Sequence, residues 1–144
     1  MHFDQIQSFA ECQAQRIIDG DVDSFIARFE YPLPIYNPTG VTVVSSVSQA
    51  RCMVVEFFHD VVQQGIVKVE PWSIQILDST NHRAMIQLQW AYLDEHNVCC
   101  KKTEARYVLR DDPVHPEPMI EMIEYLTTNF AGLPANTARR AALH

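Results

Sequence analysis

The sequence predicts an α+β fold in which three N-terminal helices pack on one face of a curved antiparallel sheet. Two observations carry the prediction. Up to Gly65, apolar residues recur at helical spacing in three stretches punctuated by Gly20 and by Pro32 and Pro34. After Gly65 the period changes to two, in four runs divided by turn-forming clusters. Helices first and strands afterwards is the order of a domain whose helices sit on one side of an antiparallel sheet. At 144 residues the chain can bury roughly 68–70% of its unfolded surface in one core. An apolar fraction of 47% with 10% aromatics supplies the material for it. We read residues 1–130 as a single domain and 131–144, which are small and basic with no apolar stripe, as a C-terminal tail.

Asp4 followed by Gln7 makes a D-x-x-Q capping box for the first helix, and Ile6, Phe9, Ala10 and Ile17 follow at helical spacing. Gly20 stops that helix, and Asp21 caps a second one with the stripe Val22, Phe25, Ile26 and Phe29. Pro32 and Pro34 forbid its continuation. The run LPIYNPTGVTVV then reads as two short extended pieces around an Asn37-Pro38-Thr39-Gly40 turn. Ser45, Ser46 and Ser48 offer caps to a third helix, with Val47, Val54, Val55, Phe58, Val61 and Val62 on one side and Gly65 at its end. Strands are predicted over 67–78, 83–93, 98–110 and 119–127, and Pro71 marks an edge or a bulge. In the second of these, Ala84, Ile86, Leu88, Trp90 and Tyr92 share one face, and the residues between them on the opposite face, Met85 to Ala91, are apolar except for Gln87 and Gln89. Helices cover one face; a second subunit is expected on the other, as a homodimer.

The formal charge of −7 argues against nucleic acid or an anionic membrane surface as a partner, since both call for a basic face. No run reaches the ~18 apolar residues of a membrane span, and MHFDQIQSF lacks the layout of a signal peptide. Cys12, Cys52, Cys99 and Cys100 show no zinc spacing and read as reduced thiols of a cytoplasmic protein. His59, His82, His96 and His115 are scattered, so no metal is expected. With four glycines, no phosphate loop and no G-x-S-x-G, neither a cofactor nor a serine nucleophile is expected.

The run IIDGDVDSFIARFEYPLPIYNPTG resembles the nuclear transport factor 2-like superfamily, and within it the ketosteroid isomerase and SnoaL-like polyketide cyclase branches. A helix ends in Gly-Asp, a short helix ends in Phe, and an extended segment leads to an [D/N]-P-x-G turn. With the order of helices and strands, the resemblance spans residues 4–127. It implies a cone-shaped, cystatin-like α+β fold whose bent sheet wraps the third helix, leaves an apolar cavity and dimerises through the sheet. In the isomerases an aspartate before the turn is the base. A first-helix tyrosine and a protonated aspartate hold the enolate oxygen. The corresponding positions here are Asn37, about Gln13 and about Ala105. An amide has no titratable proton and cannot act as that base.

The candidate catalytic residue is Glu124. On the last strand it shares a face with Ile120, Met122 and Leu126, so a carboxylate interrupts an apolar set. Enclosed there, it would have a raised pKa and serve as acid or base near neutrality. The alternative is pairing with Arg106 or Lys102, or exposure to solvent. Gln13, Tyr36, Asn37, Trp90, Tyr107 and Met122 are the candidate ligand contacts, each with a plain packing role as its alternative. Two functions stay open. One is a small-molecule-binding protein whose cavity holds a hydrophobic molecule such as a cyclic ketone or fatty acid. The other is a cofactor-free isomerase, cyclase or dehydratase acting on a hydrophobic carbonyl compound through Glu124. If Glu124 lies outside and no other carboxylate enters the cavity, the enzyme reading fails.

Overall fold

The computed structural model describes residues 1–127, 130 and 132; of the 131–144 tail, all but Gly132 lies outside the described residues. Helix α1 spans Phe3–Asp19 and buries Ile6, Phe9, Ala10, Gln13, Ala14 and Ile17. His2, not Asp4, precedes its first turn, and its side chain makes no cap bond. The predicted capping box is therefore absent, and Asp4 instead places its charge against the positive end of the helix dipole. At the other end Gly20 takes φ 70. The N–H groups of Gly20 and Asp21 reach the carbonyls of Ile17 and Arg16 at 3.3 and 3.0 Å, a Schellman closure that needs a left-handed residue. Asp21 then caps α2 (Val22–Ile26), its carboxylate accepting from the Ser24 N–H at 3.2 Å.

Of the three serines offered as caps, Ser46 begins α3 (Val47–Gln63) and accepts from the Gln49 N–H at 3.2 Å. The Gln49 side chain reaches back to the Ser45 N–H at 2.6 Å. The buried stripe is Ala50, Val54, Phe57, Phe58 and Val61. Val55 and Val62, expected on that side, are exposed. Each lies one residue, about 100° of rotation, past Val54 or Val61, beyond the stripe that the sheet covers. Val47, in the first turn, is also exposed. No helix among the described residues is long and apolar enough to cross a membrane.

The strands are β1 (Leu33–Asn37), β2 (Gly40–Val44), β3 (Ile66–Ser79), β4 (Arg83–Asp94), β5 (Cys99–Arg110) and β6 (Met119–Thr127). They form one sheet in the order β2-β1-β6-β5-β4-β3. The four predicted strands make the expected antiparallel meander. The sheet is not wholly antiparallel, however. The β1–β2 hairpin joins its far edge, with β1 running parallel to β6 through Ile35 opposite Ile123 and Tyr36 opposite Glu124. Register shifts recur along β3–β6, and such bulges bend and twist a sheet. Pro71 lies at one of them, on the edge strand β3.

One shift governs the site. In β6, Ile120 pairs with Leu109 and Met122 with Val108, so Glu121 is an extra residue. Beyond it the alternation is reversed. Ile123 and Tyr125 stand with Ile120 on the inner face, while Met122 and Glu124 turn outward. The inner face packs on α1 and α3 through Ile86, Leu88, Ala105, Tyr107 and Leu109. On the outer face Gln89, Glu104, Gln87, Arg106 and Glu124 form a chain of hydrogen bonds across three strands. Ala91 on that face is already buried within the single chain, with Lys102 opposite it and the Lys102 Nζ 4.3 Å from the Trp72 ring centre.

Candidate functional site

Between the helices and the inner sheet face lies a hollow of about 50 Å³. Its apolar wall comes from Phe9 and Ile17 on α1, Phe25 on α2, and Met53 and Phe57 on α3. Its polar atoms come from Gln13 on α1 and from Trp90, Tyr92, Thr103, Tyr107 and Tyr125 on the sheet. Among the described lining residues there is no carboxylate, imidazole, thiol, lysine or arginine.

The Gln13 amide is committed to the protein. Its Nε2 donates to the Phe25 carbonyl at 3.2 Å, and its Oε1 accepts from Arg16 Nη1 at 2.9 Å. Arg16 in turn grips Glu117 with two bonds of 2.8 and 2.6 Å, and that bonding raises the guanidinium pKa. Gln13 therefore ties α1 to α2 and, through Arg16, to the loop before β6. A buried amide can be held there only because both of its ends are satisfied.

The sheet side is set by phenols. Trp90 Nε1 donates to the Tyr107 hydroxyl at 3.1 Å, and the Thr103 hydroxyl lies 3.4 Å from that of Tyr92. Tyr125 stands across the strand pair from Ala105. It is half-buried and lines the hollow. Burial pushes the Tyr107 pKa up to about 12, partly offset by the Trp90 bond, and raises those of Tyr92 and Tyr125 as well. These groups remain neutral hydrogen-bond donors near neutral pH and are poor proton acceptors there. The consequence is an alkaline limit. Stability tied to a neutral Tyr107 is fully present below the ordinary phenol pKa of 10.0 and is lost as pH rises through about 12. Tyrosinate absorbance should therefore appear together with loss of the folded circular-dichroism signal. All five tyrosines titrating together through the ordinary phenol pKa of 10.0 in a folded protein would contradict this.

Three of the sequence-predicted residues, Gln13, Trp90 and Tyr107, meet in the hollow. The other four do not line it. Glu124 faces outward, 38% exposed, with Arg106 Nη1 at 3.3 Å from its carboxylate. Met122 is beside it on the outer face, opposite Val108. Both expectations of an inward direction are corrected by the bulge at Glu121. Tyr36 is on the outer side of β1, opposite Glu124 and 41% exposed. Asn37 closes its own turn, its Oδ1 accepting from the Thr39 N–H at 2.9 Å and hydroxyl at 2.7 Å, as an Asx-turn does. Sequence reasoning passed over Tyr125, because unbroken alternation puts it on the other face. Tyr92 lay in the inward set and was legible there, though it was not singled out. Among the described residues no group of three or more His, Cys, Asp or Glu is placed to hold a metal.

A helical layer on one face of a bent sheet, enclosing a small apolar hollow, defines the nuclear transport factor 2-like class. The chain belongs to the NTF2-like protein (DUF6841) family, which matches residues 4–115. Its fold is similar to that of an NTF-2 like protein of unknown function from Shewanella oneidensis, at 14% identity and TM-score 0.62, over 88% of this chain and 100% of that one. It is also similar to an NTF2-like protein with a cystatin-like fold from Novosphingobium aromaticivorans, at 10% identity and TM-score 0.64, over 98% and 88%. A third similar structure is the beta subunit of benzoate 1,2-dioxygenase from Burkholderia mallei, at 12% identity and TM-score 0.62, over 90% and 92%. At these identities the likeness is one of fold. No curated protein matches the chain.

Proposed function

We propose that this protein binds a small hydrophobic molecule in the hollow of a cone-shaped domain, without acid–base catalysis. The observation that carries this reading is the lining: apolar side chains with a few neutral donors and no described group that titrates near neutrality. That composition suits ligand recognition. The alternative, an isomerase, cyclase or dehydratase, requires a proton acceptor at the ligand, and the Glu124 carboxylate is engaged with Arg106 on the far side of the sheet. Size bounds the ligand. The hollow of about 50 Å³ is smaller than the ~150 Å³ apolar void that accepts benzene, so a fatty acid or cyclic ketone would enter only with side-chain movement. Met53, unbranched and only partly buried, is the wall residue best suited to yield. Xenon should give a saturable ¹²⁹Xe shift and perturb the methyl resonances of Ile17 and Val54. Xenon behaving as in buffer would end the binding reading.

The second part of the proposal is a homodimer through the outer sheet face. Tyr36, Val41 and Met85 are exposed there beside the central hydrogen-bond chain, an arrangement of apolar rim and satisfied polar groups that a second copy could cover. Light scattering at micromolar concentration should give the mass of two chains; a monomer alone removes the dimer. A reducing, cytoplasmic setting agrees with four free cysteines, of which Cys52, Cys99 and Cys100 are exposed.

A further inference from the structure

We propose that the hollow contains an oxygen subsite, in which the hydroxyls of Tyr107 and Tyr125 donate hydrogen bonds to the carbonyl oxygen of a small uncharged ligand. This rests on the reading of the hollow as a ligand site and adds the chemistry that the ligand must present. Tyr107 and Tyr125 are diagonal neighbours on the inner face, since Tyr107 pairs with Ile123 and Tyr125 with Ala105. Aromatic side chains reach one another across such a diagonal. An indole N–H can only donate, so the 3.1 Å contact from Trp90 makes the Tyr107 oxygen the acceptor and leaves its own proton available. Accepting that bond polarises the phenol and strengthens it as a donor. The Tyr125 hydroxyl has no hydrogen-bond partner among the described residues and, since no buried polar side-chain atom there lacks one, it is accessible to a ligand; Ala105 opposite it presents only a methyl group.

Two phenol protons at the wall of a mainly apolar hollow are the polar groups that would orient a ligand there. A carboxylate does not fit: no described lysine, arginine or histidine lines the hollow to balance its charge. An alcohol accepts as well, but it adds a proton that must itself find an acceptor. A carbonyl oxygen only accepts, and it has two lone pairs for two donors. With about 50 Å³ at hand, the ligand is a short ketone or aldehyde of a few heavy atoms.

The test titrates the full chain with 2-butanone, with 2-methyl-1-butene, in which a methylene replaces the carbonyl oxygen, and with propanoate. Binding is read from the indole N–H resonance of Trp90, with the exposed Trp72 as the internal reference. Tyr125→Phe and Tyr107→Phe should each weaken butanone by about five- to tenfold and leave the alkene unchanged. In the wild-type protein, bound butanone should show a carbonyl stretch at lower frequency than in hydrocarbon solvent, a readout that requires no variant to fold. Propanoate should leave the Trp90 resonance unmoved. Equal loss of ketone and alkene in the variants, or a bound carbonyl at its hydrocarbon frequency, overturns the subsite and leaves the apolar site standing. If neither ketone nor alkene binds, both proposals fail.

Discussion

Phe9→Ala is expected to lower the unfolding free energy by about 3–5 kcal/mol, the range for truncating a fully buried aromatic ring. Phe9 is 2% exposed, sits in the middle of α1, and forms part of the wall of the hollow. Its ring makes no hydrogen bond, so the loss is one of apolar burial and packing alone. The neighbours that would have to collapse into the gap are anchored from opposite sides: Gln13 by Phe25 and Arg16, and Tyr107 by Trp90. Incomplete collapse puts the cost at the upper end of the range. A chain of this size should lose roughly 10–20 °C in Tm. Because the new space merges with the existing hollow, benzene should stabilise the variant and not the wild-type protein. Urea unfolding that shows a loss below about 1 kcal/mol would mean that Phe9 is not in the core.

The second large effect is expected at Gly132. Its φ is +80, and a Cβ there would stand 2.5 Å from the Met53 carbonyl oxygen and 3.0 Å from the Phe57 amide nitrogen. Both are backbone atoms of α3 and cannot turn aside. Gly132→Ala must therefore lift the chain away from the helix. Phe130, two residues earlier and fully buried, is carried with it. Its ring packs against Phe57 and Tyr92 at centroid distances of 5.3 and 4.5 Å, with the Lys101 Nζ 4.5 Å from its centre. Losing that burial costs about 2–3 kcal/mol. Phe130→Ala removes the same ring, so the two substitutions together should cost little more than either alone. A fully additive double variant, or a Gly132→Ala protein as stable as wild type, would contradict the docking of this segment on α3.

Much of this architecture could be read from local chemistry. A glycine that must adopt a left-handed turn ends α1, and an aspartate and a serine whose oxygens accept backbone N–H groups begin α2 and α3. Between Ala84 and Tyr92 the pairing of β4 with β5 runs without a register shift. Simple alternation therefore placed Trp90 and Tyr107 correctly on the inner face. Gln13 was legible for the same reason, as a polar residue on an otherwise apolar helical stripe.

Other features depended on partners distant in the chain. Nothing within LPIYNPTGVTVV says that β1 will run parallel to β6, with Ile35 opposite Ile123, 88 positions further on. The extra residue at Glu121 is defined only by pairing with β5, and it decides that Tyr125 lines the hollow while Glu124 bonds Arg106 outside. By itself the sequence determined the class of fold, the end of α1 and the starts of α2 and α3, and the apolar composition of its centre, because capping and periodicity act within a few residues. Only the tertiary structure decided which side of β6 faces inward, since a bulge is a property of two strands together and reverses every side chain beyond it.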